Sequence, residues 1–175
     1  MDLDTWVYIL HPRPVAIVIS GTWERYSAMP ASWIMPVSRR PPIVAIAIAR
    51  TRYTYELIKE FREFALCILP SSLYREVNFL GSVSGREVRD KIAVAKLTKI
   101  PAKRVSAPVI GESLAVAECE LINDIEAGDH NIVLGKVLEL YKRADVVIPD
   151  PHSYRVLLHV RGSLYGEPSE KVLSA

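Results

Sequence analysis

With 22 basic and 20 acidic residues in a chain of 175, the net charge is only +2, so there is no positive field of the kind that dominates nucleic-acid binding. The length and the half-apolar composition suit one domain spanning residues 1–175, which would bury about two thirds of its extended surface without disulfide staples. No apolar run approaches the ~18 residues that cross a bilayer, and the acidic start MDLDTWVYIL lacks the basic region of a secretory leader, so a cytoplasmic chain with neither membrane nor nucleic-acid partner is expected.

In chain order, PVAIVIS (Pro14 to Ser20) and PPIVAIAIA (Pro41 to Ala49) are β-branched runs bounded by turn residues and read as strands buried on both faces. Between them YSAMPASWIMPVSRRPP, Tyr26 to Pro42, is apolar yet carries four prolines that cannot donate to a sheet ladder, and it reads as a connection against which something packs. TYELIKEFRE (Thr54 to Glu63) reads as a helix with Thr54 as N-cap, Glu56 in the first turn, and Leu57, Ile58 and Phe61 as its buried stripe. FALCIL returns as a strand, and SSLYREVNFLGS (Ser71 to Ser82) forms a second helix opened by capping serines. LAVAECELI, HNIVLGKVLEL and YRVLLHV supply three more strands, the last alternating with Tyr154, Val156, Leu158 and Val160 on one side. RADVVIPDPHS is the most loop-like connection between them. Some six strands with two or three helices clustered mid-chain predict a mainly β fold, a barrel or sandwich with helical insertions. Cys67 and Cys119 lie within apolar strands and read as inert core thiols. The chain has no glutamine, only three asparagines and many charges, a pattern of thermophilic proteins.

The motifs of Rossmann enzymes, P-loop NTPases, zincins and α/β-hydrolases are all missing, as is any C-x-x-C. The four histidines are scattered, so no metal site is expected. Three stretches remain as candidate sites. In the proline-rich segment Ser32 and Ser38 supply hydroxyls and Trp33, Ile34 and Met35 a flat apolar surface, suited to a planar, partly polar ligand or to a self-packed barrel rim. In ARTRYTYELI, Arg50, Arg52, Tyr53 and Thr54 precede a helix N-terminus, suited to a phosphate or to an ordinary capped helix. In AGDHNIVLG, His130 beside Asp129 is either a ligand-facing histidine with an oriented ring or part of an exposed turn.

Taken in order, HPRPVAIVIS, AMPASWIMPVSRRPP, RYTYELI, REFALCIL, VRDKI, SAPVIGES, LAVAECELI and GDHNIVLGKV resemble the flavin reductase-like family, with flavin reductases and flavoredoxins among its members, over roughly Asp4 to Leu140. LLHVRGSLYG is similar to its closing strand. The resemblance implies an FMN-binding split β-barrel, a homodimer with FMN near the subunit interface, and hydride transfer from NADH or NADPH to flavin and on to a small-molecule or protein acceptor. It places Ser32, Trp33, Ile34, Met35 and Ser38 on the flavin ring and ribityl chain. Arg52, Tyr53 and Thr54 fall by the phosphate, Lys91 in the same pocket, and His130 facing the nicotinamide, with no obligatory catalytic acid or base. Ser27 and Leu57 stand where the family often carries asparagine. An electron carrier of the flavoredoxin kind, reduced by a protein partner, and a flavin-free ligand-binding barrel are the competing functions.

Overall fold

The computed structural model describes residues 5–150 and 152–169; the acidic residues 1–4, Pro151 of the late loop and residues 170–175 lie outside the described residues. After a 3-10 turn at Trp6–Leu10, strands β1 (Arg13–Pro14), β2 (Ala16–Gly21), β3 (Tyr26–Ala31), β4 (Ile34–Arg39) and β5 (Pro42–Ala49) lead into helix α1 (Tyr53–Phe61). Strand β6 (Glu63–Ile68), a 3-10 turn (Ser71–Leu73), α2 (Tyr74–Ser82) and the single turn α3 (Lys91–Val94) follow. The remainder is the small hairpin β7 (Lys99–Pro101) with β8 (Pro108–Ile110), the long hairpin β9 (Ala115–Ala127) with β10 (His130–Lys142), and the closing pair β11 (Leu158–Arg161) and β12 (Leu164–Gly166).

Seven strands form one antiparallel sheet in the order β3-β2-β6-β9-β10-β5-β4. Its two edge strands are consecutive in sequence, separated only by Ser32 and Trp33. A link of that length spans about 10 Å, so the sheet must curl until its edges nearly meet without pairing. The result is a barrel split between β3 and β4. Curling is helped by register shifts in the β9–β10 hairpin at Leu134/Gly135 and Val137/Glu139. At the first of these, a Cβ on Gly135 would lie 2.3 Å from Phe64 Cζ, so the ring of β6 can close onto the bend only because that position has no side chain.

The predicted connection from Tyr26 to Pro42 is therefore two strands, β3 and β4. Of the prolines that argued against a ladder, Pro30 and Pro36 sit on the two edge strands, Pro41 in the turn after β4, and Pro42 at the first position of β5, all places where a strand tolerates a missing donor. Lys91 Nζ donates to the Ala28 carbonyl at 2.6 Å, so the peptide groups of residue 28 point away from β2. Pro30, two residues on, shares that orientation, and its absent N–H falls on the free edge.

At β2 both faces of the sheet are covered, as its continuous apolar run predicts. All six residues of β2 are buried, Ile17 and Ile19 against Val77 and Leu80 of α2, and Ala16 and Val18 toward Ile58 of α1 and Phe64. Cys67 and Cys119 are fully buried free thiols, and burial pushes them up to about 11 and about 12, so they stay protonated and inert at neutral pH. Three local readings change. YRVLLHV is regular only from Leu158, because Val156 and Leu157 are both buried, which a one-sided alternation does not allow. Thr54 is not an N-cap: Arg52 holds that position without a side-chain cap bond, and the stripe of α1 is Thr54, Leu57 and Ile58. Likewise the serines at 71 and 72 make no cap, Leu73 preceding α2.

Candidate functional site

Strand β3 has a free edge, and basic and hydroxyl side chains gather at the end of it nearest α1. Thr54 Oγ1 donates to Ser27 Oγ at 2.9 Å, tying the first turn of α1 to β3 in a fully buried pair. The loop after α2 closes over them: a Cβ on Gly85 would lie 2.8 Å from Ser27 Oγ and 3.0 Å from Tyr53 Cδ1. Arg86 lies over the Tyr53 ring, 5.0 Å from its centroid, and pairs with Glu56. Arg52 projects into solvent from the N-cap, where the first N–H groups of the helix lack partners within it.

Beneath this turn lies Lys91, only 2 % exposed, its Nζ donating to the carbonyls of Ala28 and Leu80, both at 2.6 Å. Burial, and secondarily the charge of Arg52, pull its amine down to about 8. Among the described residues no carboxylate pairs with either Arg52 or Lys91. Two neighbouring cations, one buried, without a counter-charge beside a helix N-terminus make a ready anion site.

At the other end, where β3 turns into β4, Ser32 Oγ lies 3.2 Å from His159 Nδ1 of β11. Ser32 and His159 line a cavity of about 250 Å3 together with Pro30, Asn78, Gly81 and Tyr165. Trp33 stacks on His130, with centroids 4.8 Å apart at 29°, and His130 Nδ1 is 2.8 Å from Asp129 Oδ1, the orienting contact that the sequence suggested. The His130 hydrogen bond holds the Asp129 carboxyl below its usual value. Trp33, Ile34 and Met35 line a second cavity of about 200 Å3 with Ala47 and Ile132, on the outward face of β4, β5 and β10.

The fold thus brings Arg52, Tyr53, Thr54 and Lys91 to one end of the β3 edge and Ser32, Trp33 and His130 to the other. Ile34 and Met35 follow on β4, whereas Ser38 lies about 20 Å along the chain from Ser32, near the β4–β5 turn and away from both ends. Arg50 does not join Arg52: it bonds to Glu126 Oε1 at 2.6 Å and to the Gly128 carbonyl at 3.0 Å, bracing the tip of the β9–β10 hairpin. Leu57 is core. A larger cavity, about 940 Å3, lies elsewhere, among Ser71, Tyr74, Arg143, Arg155, Leu157 and Glu167. His159, Asn78 and Tyr165 were missed in the sequence because each comes from a segment remote from Ser32, and the tight RGSLYG turn was their only local sign.

Comparison with known proteins places this geometry. Residues 9–167 match the model of the flavin reductase like domain. The chain is 39 % identical over 141 residues to an uncharacterised protein of Aeropyrum pernix, covering 81 % of this chain but only 54 % of that longer one. Among solved structures, an FMN-binding protein from Thermus thermophilus with bound 1-cyclohex-2-enone superposes with a TM-score of 0.88 at 27 % identity, covering 100 % of this chain and 96 % of that one. Flavoredoxin of Desulfovibrio vulgaris (Miyazaki F) superposes with a TM-score of 0.83 at 27 % identity, covering 94 % and 91 %. With a split barrel whose free strand edge runs from a cationic helix N-terminus to an aromatic platform, the chain belongs to the flavin reductase-like family.

Proposed function

We propose that the chain binds FMN along the free edge of β3 and acts as an NAD(P)H-dependent oxidoreductase of the flavin reductase type, passing electrons to a small-molecule or protein acceptor. The observation that carries this reading is the Arg52–Lys91 pair, two cations without a carboxylate at the N-terminus of α1. The residues fit the cofactor: the Gly85 cradle against Ser27 and Tyr53 suits a phosphate, and the β3 edge offers peptide groups that β2 does not use. Bound there, FMN would supply hydride and electron transfer between donor and acceptor.

The chain's own residues bind and orient. Arg52, Lys91 and the first turn of α1 hold the phosphate end. Ser32 and Trp33 hold the ring end. His130, fixed by Trp33 and Asp129, faces the nicotinamide from the hairpin tip. No side chain needs to move a proton for the hydride step, so the site requires shape and charge rather than a catalytic pair.

Exposed apolar side chains on two strands support a homodimer as part of the reading: Met35 is 56 % and Val37 44 % exposed on β4, and Leu140 is 70 % exposed on β10. Light scattering after size exclusion is expected to give twice the 19.6 kDa chain mass, and a monomer at micromolar concentration contradicts the dimer. The flavin reading is tested by an anaerobic absorbance spectrum with stoichiometric FMN, before and after NADH and then NADPH. Uptake followed by rapid loss of the oxidised bands is expected. Uptake without bleaching favours an electron carrier reduced by a protein, the reading that the likeness to flavoredoxin supports, and no uptake overturns both.

A further inference from the structure

We propose that His159 is a positioning residue that holds the Ser32 hydroxyl as a hydrogen-bond acceptor toward the adjoining cavity, so that this cavity takes an N–H or O–H group of its ligand. His159 Nε2 lies 3.1 Å from the carbonyl oxygen of Gly162, which can only accept, so Nε2 carries a hydrogen. Burial, reinforced by the neighbouring His11, keeps the ring neutral. A neutral ring protonated at Nε2 has a bare Nδ1, and the contact of 3.2 Å between Nδ1 and Ser32 Oγ is then donated by the serine. A hydroxyl has one hydrogen. With it directed to His159, the lone pairs of Ser32 are what the cavity of about 250 Å3 receives.

The ring is held in that pose from every side. Gly162 adopts a φ of +53°, the left-handed conformation that lets the β11–β12 turn return its carbonyl to the ring. His11 meets the His159 ring edge-on at 5.0 Å, and Tyr165 lies against it at 5.8 Å. His11 Nδ1 donates to the His159 carbonyl at 3.1 Å, pinning the backbone as well. Such an arrangement is more specific than a surface serine whose hydroxyl rotates to suit its ligand.

Naming the ligand's donor rests on the flavin reading: oxidised FMN offers one ring N–H and the ribityl hydroxyls, and either meets an acceptor. The orientation of Ser32 does not rest on it. The test begins with ligand-free protein labelled with 15N at histidine, in which long-range proton–nitrogen correlations of His159 are expected to show Nε2 protonated and Nδ1 bare. Protonation at Nδ1 overturns the proposal, whether or not the protein binds flavin. FMN affinity is then measured for Ser32→Ala, His159→Phe, the double variant and His159→Asn.

Each of the first two is expected to lose about tenfold, and the double variant no more than either, because one hydrogen bond is removed by both routes. Asparagine keeps an acceptor close to the Nδ1 position and is expected to restore most of the loss. Additive losses, or no rescue by asparagine in a variant that unfolds like the parent, overturn the positioning role. FMN methylated at its ring N–H separates the two donors: a loss in the parent that vanishes in Ser32→Ala assigns the ring, and an unchanged affinity assigns the ribityl chain. Failure of the parent to bind any flavin removes the flavin reading while the tautomer still decides the orientation of Ser32.

Discussion

Lys91→Met is expected to weaken FMN binding by about ten- to a hundredfold at pH 7 while leaving riboflavin, which lacks the phosphate, bound as before. Lys91 is buried with its Nζ on the carbonyls of Ala28 and Leu80 and feels the charge of Arg52, and among the described residues no carboxylate pairs with it. A phosphate at Arg52 would supply that neutralisation. The pH dependence follows from the sign of the shift. The amine is held down to about 8, against 10.5 for a free lysine, mainly by burial and then by Arg52. Below pH 8 the free protein already carries the charge and affinity is flat, until the phosphate itself gains a proton near pH 6.

Above pH 8 the free protein has lost that proton and must recover it on binding, so affinity falls by up to tenfold per pH unit. Lys91→Met removes this fall. The same shift makes the ligand-free protein gain stability between pH 8 and 10.5, where the unfolded chain still holds a proton that the folded chain has released. That slope also disappears in the variant. Fluorescence titrations of FMN and riboflavin across pH 6–10 read the affinities, and urea unfolding of the ligand-free protein at the same pH values reads the slope. An unchanged ratio of the two affinities would reduce Lys91 to a strut between β3 and α2. Arg52→Ala is expected to lower the same ratio, since its exposed guanidinium faces the same anion.

Glu118→Ala should destabilise the fold by about 3–5 kcal/mol, the largest stability loss expected from one polar position. Glu118 is fully buried in β9, and its carboxylate accepts backbone N–H groups from Lys103 at 2.8 Å, Arg104, and Val105 at 3.1 Å, together with the Tyr141 hydroxyl at 2.8 Å. These contacts fasten the β7–β8 loop to the sheet. Each orphaned buried donor costs about 1–3 kcal/mol, and the void left by the side chain adds to that. Burial and the Glu118 carboxylate raise the Tyr141 phenol well above its ordinary value, so it remains a donor throughout the range in which the protein folds. Urea unfolding measures the loss, and a change below ~1 kcal/mol would show that water replaces the carboxylate. The ratio of FMN to riboflavin affinity is expected not to move, because Glu118 serves the loop and not the anion end.

Helices α1 and α2, the strands β2, β5, β6, β9 and β10, and the burial of both cysteines were legible in the chain because each depends on local periodicity and apolarity. The order of short motifs carried the family. Tertiary structure alone decided that Tyr26 to Pro42 is two strands, because a proline is tolerated or excluded according to whether its strand lies at an edge, and edge position depends on pairing with distant strands. It also sent Arg50 to the hairpin tip and left Arg52 at the N-cap of α1, although the two are separated by one residue. That Lys91, in a polar loop, is enclosed by α2 and β3 was also decided by the fold. Ser32 and His159 are 127 residues apart, and no pattern along the chain relates them. What the sequence determined by itself was the set of segments able to bury a face. What only the fold decided was which isolated polar side chains meet, because a contact between distant segments leaves no periodic trace in either.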